Sequence, residues 1–198
     1  MANSSRHNKL LSRIGAIETN LLPAIKVSGN YTKKESDQIR SYVILTHAEI
    51  EAYFEDIALI KVQKSLNLWR TKRGKSNCLL SIMTFCAKDI IWDTKPDKNN
   101  IESRVNKTVI HYINLLKKNH GIKAKNIRNI LLPLGVEESD LDQTWLNIMD
   151  DFGKKRGSLV HTTHSVQSQI DLQTEKSRID IQIIPEITRL DGLVKTVK

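Results

Sequence analysis

The sequence predicts an all-α fold, an antiparallel helical bundle of five or more helices. Three observations carry that expectation. Apolar residues recur at steps of three and four along nearly the whole chain, the helix breakers fall between those stretches, and a 39% apolar composition rules out wholesale disorder. With 198 residues and no internal repeat or low-complexity tract, the chain reads as one domain over 1–198, with a peripheral C-terminal segment at 165–198.

The elements follow in order. Ile14, Ile17, Leu21 and Ile25 share one face of a first helix, which the turn "KVSGNYTKK" ends. A long second helix begins at Ser36 and runs through Trp69. It carries two apolar stripes, one of Ile39, Val43, Ile50, Phe54 and Ile57, the other of Leu45, Ala48, Ala52, Leu59, Val62, Leu66 and Trp69, so it is expected to pack on two sides. "RTKRGKSN" is a basic connector. "CLLSIMTFCAKDIIW" reads as a third helix, ended by the turn around Pro96, and "IESRVNKTVIHYINLLKKN" as a fourth, stopped by Gly121. A short helix over "AKNIRNILL" closes at Pro133 and Gly135. Ser139 with Asp142 resembles a capping box and places the next helix start near Asp140, with Leu141, Trp145, Ile148 and Phe152 at helical spacing. After it, the alternation of Ile179, Ile181 and Ile183 suggests an extended stretch, and a helix follows Pro185.

Charge and cysteines narrow the function classes. A net charge of +9, from 31 Lys and Arg against 22 Asp and Glu, favours a polyanionic partner, because basic contacts to phosphate release condensed counterions. Nucleic acid is the leading candidate. Cys78 and Cys86 lie eight apart in an apolar segment, a spacing of neither a redox pair nor a zinc knuckle, and read as reduced core thiols. No stretch has the roughly 20 apolar residues of a membrane span, and the N-terminus lacks the apolar run of a secretory signal, so a cytoplasmic location is expected. "HAEIEAYFED" is not a metal-binding H-E-x-x-H; His47 and Glu51 at i, i+4 read as a helix-surface pair, and His47, His111 and His120 as ordinary structural or surface residues. No cofactor or metal is expected.

The stretch "KKRGSLVHTTH" stands apart. Arg156 continues the Leu141–Trp145–Ile148–Phe152 stripe, at its edge, where the pattern asks for an apolar residue. Gly153, Gly157 and His161 follow at steps of four, about 40° apart on the helix, as a second stripe. Two glycines in a helix each cost about 1 kcal/mol relative to alanine, so close approach of a second helix, from this chain or from another copy of it, is the expected return.

Arg156-x4-His161 near the end of a late helix resembles the R-x4-6-H motif of HEPN domains, many of which are metal-independent ribonucleases. "YVILTHAEIEAYFEDIA" and "LLPLGVEESDLDQTWLNIMDDFGKKRGSLVH" are similar to the early helix and the approach to the motif in the RiboL-PSP branch. The resemblance implies an RNA endonuclease, a toxin or phage-defence effector. In it, His161 takes the proton of a ribose 2′-hydroxyl and Arg156 holds the phosphate, leaving 2′,3′-cyclic ends. It also implies a homodimer with a composite site, Gly153 and Gly157 at the interface, and control by an antitoxin or other regulatory protein. Glu51 and His164 are supporting candidates. In active members the residue after the arginine is commonly asparagine; here it is Gly157. That departure keeps open an alternative, a non-catalytic helical module binding RNA or a protein partner.

Overall fold

The computed structural model describes residues 2–95, 98–161 and 169–197. The fold is all-α: every regular element among them is helical. The helices are α1 (Ser5–Leu21), α2 (Lys33–Lys72), α3 (Asn77–Cys86), α4 (Ile101–Lys118), α5 (Ala124–Leu131), α6 (Gln143–His161), α7 (Leu172–Ser177) and α8 (Ile184–Thr196). Short 3₁₀ turns follow α3 and α5 and precede α6, and a π-helical turn, Arg178–Ile183, joins α7 to α8.

Local chemistry sets the ends. The Ser4 side chain accepts a hydrogen bond from the His7 amide and starts α1 earlier than the apolar spacing suggested, while Pro23 keeps the helix from reaching Ile25, which is exposed. α2 begins three residues before the expected Ser36 because Thr32 and Glu35 form a reciprocal cap: the Thr32 amide donates to Glu35 Oε2 at 2.7 Å and the Glu35 amide to Thr32 Oγ1 at 3.3 Å. It ends past Trp69, at Arg73, whose φ of 50° is left-handed. The cap of α6 is Asp142, whose Oδ1 accepts from the Trp145 amide at 2.7 Å; the box one turn upstream, Glu137 with Asp140, belongs to the preceding 3₁₀ turn.

Of the two stripes expected on α2, the first is buried throughout, whereas the second is fully buried only at Val62. Ile39, Tyr42, Val43, Thr46, His47, Ile50, Tyr53, Phe54, Ile57, Ala58 and Val62 are buried, whereas Leu45 and Ala48 of the second expected stripe are exposed. The buried positions step by three and four, and tyrosine, threonine and histidine occupy places in that series.

The chain forms two compact units, each gathered from separate segments. The first comprises residues 1–53, 121–124 and 142–191. Its core includes Leu10, Tyr42, Tyr53, Met149, Phe152, Leu172, Ile179, Ile183, Ile187 and Leu190, all fully buried. The C-terminal segment from Ile170 is therefore structural here and not peripheral. Its isoleucine alternation does not make it extended: Ile179 and Ile183 are 0% exposed and Ile181 is 69% exposed, which is the i, i+4 face of a helix. The Trp145 indole donates to the Ile183 carbonyl at 3.3 Å. The second unit comprises 54–120, 125–141 and 192–198. There α3 packs against α4 and the Leu132–Leu134 turn, Tyr112 donates to the Ile130 carbonyl at 2.6 Å, and Cys78 and Cys86 are buried free thiols.

Candidate functional site

The site lies in the first unit, where α6 meets the N-terminal half of α2 and the link Gly121–Ala124. α6 presents a continuous buried face through Trp145, Met149 and Phe152, and Arg156 is one turn beyond Phe152 on it. Arg156 is half-buried, and its Nε is a buried donor with no hydrogen-bond partner among the described residues. Its two basic neighbours are engaged: Lys154 lies 3.3 Å from Asp151, and Lys155 lies 2.5 Å from Glu175, a carboxylate 1% exposed that also pairs with Arg178. Of this basic run, Arg156 is the cation without an ion pair among the described residues.

Glu51 and His47 lie one turn apart on α2. Glu51 Oε1 accepts the Gly121 amide, and its Oε2 lies 3.7 Å from His47 Nδ1. The link is held from α6 as well, where Asp150 accepts the Ala124 amide at 2.8 Å. Gly121 has a φ of 102°, which admits glycine with least strain. The His47 ring packs on Phe152, centroids 5.8 Å apart. Burial, and secondarily the Arg156 charge, push its pKa down to about 4, so the imidazole is neutral at neutral pH.

The His47–Glu51 spacing reads as a helix-surface pair; the structure buries His47, only 2% exposed, and leaves Glu51 half-buried. The available signal was its spacing, since His47 falls within the buried series of α2. Gly153 is close-packed by its own chain: a Cβ there would come within 2.8 Å of Lys123 Cγ. The close approach expected from a second copy is thus intramolecular at Gly153, because the Gly121–Ala124 link occupies that face. A Cβ at Gly157 would meet nothing within 4 Å, so that position is open. His161 is the last residue of α6, its side chain lying outside the described residues, and His164 lies outside them altogether. The structure therefore pairs Glu51 with His47, and the Arg156 charge bears on His47. His111 and His120 belong to the other unit.

Among the described residues no group of three or more His, Cys, Asp or Glu is placed to hold a metal ion, and no helix is long and apolar enough to cross a membrane. The RiboL-PSP-HEPN family model matches residues 8–184, a span that includes Glu51, Arg156 and His161. No curated protein and no solved structure matches the chain.

Proposed function

The chain belongs to the RiboL-PSP-HEPN family, and from that premise we propose that it is a metal-independent RNA endonuclease acting as a toxin or phage-defence effector. The observation that carries this reading is Arg156: a cation on the edge of a buried helix face, with its Nε unpartnered among the described residues and both basic neighbours paired with carboxylates. A planar, permanently charged fork in that setting suits a phosphate that gains negative charge as it reacts.

The chemistry uses what RNA brings. His161, five residues along α6, takes the proton from a ribose 2′-hydroxyl; the 2′ oxygen bonds to the adjacent phosphorus; the bond from phosphorus to the 5′ oxygen of the next nucleotide breaks, and that oxygen regains a proton. The products are a 2′,3′-cyclic phosphate and a 5′-hydroxyl. A histidine with an ordinary pKa of roughly 6.5 has the neutral base form available near neutral pH. On a straight helix, positions 156 and 161 are about 140° apart, which supports a site completed by a second copy of the chain. Gly157 offers open backbone for that contact. A nuclease of this kind needs restraint, so an antitoxin or other regulatory protein is part of the proposal, as is a cytoplasmic location with the RNA. The net charge of +9 supports RNA as the partner.

One observation favours a second reading. Gly157 stands where active relatives commonly carry asparagine, so the same surface would serve a non-catalytic module that binds RNA or a protein. The two readings separate in one experiment: cleavage of total RNA and purified tRNA in EDTA by wild type, Arg156→Ala and His161→Ala, with the product ends analysed. Cleavage by wild type alone, leaving cyclic phosphates and a loss of about 10²-fold or more in each variant, is expected for the nuclease. No cleavage by any of the three, with RNA bound by wild type, would establish the module instead.

A further inference from the structure

His47 is hard to explain as core. The same face of α2 is filled around it by Val43, Ile50 and Phe54, and a buried imidazole there forgoes hydration. Its Nδ1 is a buried polar atom with no hydrogen-bond partner among the described residues, and so is Arg156 Nε. Unmet buried polar atoms are rare in folded proteins because each costs free energy, and two in one neighbourhood ask for a common reason.

The surroundings supply one. Glu51 is fixed by the Gly121 amide through one oxygen, which leaves the other facing His47 Nδ1 at 3.7 Å. Phe152 backs the ring, and Arg156 follows Phe152 by one turn of α6. A carboxylate beside Arg156 would pair with it and cancel the charge that a phosphate needs. A neutral imidazole instead has one donor and one acceptor, so it can face a carboxylate and a guanidinium together without neutralising either. At 2% exposed it is too buried to touch a substrate.

We propose that His47 is a positioning residue for Arg156, an imidazole steadied by Glu51 and Phe152 that fills the space beside the guanidinium without bonding to it, and so keeps it in place while leaving its charge for the phosphate. This rests on the nuclease reading for its consequence but not for its geometry. Its test therefore has two readouts, made on the full chain with folding checked by circular dichroism. The first is RNA cleavage. His47→Gln, which keeps a neutral donor and acceptor, is expected within a few-fold of wild type, whereas His47→Ala is expected to lose about 100-fold in kcat/KM, the scale of a misplaced catalytic group. His47→Glu is expected to raise KM at least about tenfold, because the new carboxylate pairs with Arg156 in place of the phosphate. The second readout is solvent exchange of the Arg156 Nε–H by arginine side-chain NMR, assigned with Arg156→Lys. Exchange should quicken in His47→Ala and stay slow in His47→Gln. Wild type that cuts no RNA overturns the nuclease reading and leaves the NMR result to decide the role of His47. Equal exchange in wild type and His47→Ala, or His47→Gln and His47→Ala impaired alike, overturns that role.

Discussion

Arg156 and its surroundings turn on the protonation of a few buried side chains. His47 is held neutral in the fold with a pKa of about 4, against about 6.5 in the unfolded chain. Between those values the unfolded state binds more protons, so stability rises with pH and is lost as the solution is acidified from pH 7 toward 4. His7, fully buried, is shifted the same way by burial, with Asp191 opposing. The melting temperature is therefore expected to fall between pH 7 and 4.5 more steeply for wild type than for His47→Gln; parallel profiles would contradict the assignment. The two glycines of α6 give a second contrast. Within a single copy Gly157→Ala meets open space and should gain about 1 kcal/mol of helix propensity, or roughly 2–4 °C in melting temperature, a gain that a closely packed second copy would cancel. Gly153→Ala brings a Cβ against Lys123 and should show no such gain. Equal increases in the two would mean that the Lys123 packing is loose.

Helix existence followed from apolar spacing, and helix ends from side-chain chemistry that was only partly legible. The Thr32/Glu35 cap is written plainly in the sequence but lies in a stretch that reads as turn, and Asp142 caps α6 where Ser139 looked equally able. The stretch after α7 is the sharper case. Alternating isoleucines at 179, 181 and 183 satisfy a strand pattern and a helical one at once, since i, i+4 is contained in i, i+2, i+4. The observed face makes the difference measurable: Ile183→Ala should cost about 2–5 kcal/mol in chemical denaturation, while Ile181→Ser should stay within about 0.5 kcal/mol. Comparable costs at both positions would speak for an extended segment.

At the scale of the molecule, α2 contributes its residues through Tyr53 to one compact unit and those from Phe54 onward to the other. The first unit also draws in the chain's far end: Asp191, only 2% exposed, accepts hydrogen bonds from the Ser4 amide at 2.8 Å and the Tyr53 hydroxyl at 3.0 Å. The proposed composite site has a consequence at this scale. Arg156→Ala and His161→Ala proteins, each inactive alone, should recover about a quarter of wild-type cleavage when mixed and allowed to exchange subunits. Half the dimers are then mixed, and one site in each is intact. Failure to recover, with exchange verified by differently tagged copies, would place both residues in a single protomer's site.

What the sequence determined alone was local and compositional. Three-and-four spacing set the helices, the basic excess pointed to a polyanionic partner, and Arg156 announced itself by sitting where its own helix called for an apolar side chain. Tertiary structure decided which polar groups share a buried space. His47 and Arg156 are more than a hundred positions apart, as α2 and α6 carry them, and nothing in either helix's own pattern says that the charge of one bears on the other. The reason is physical: periodicity is a property of one helix and can be read along it. Burial, an unmet hydrogen bond and a lowered pKa depend on what packs against that helix, and packing joins residues from opposite ends of the chain.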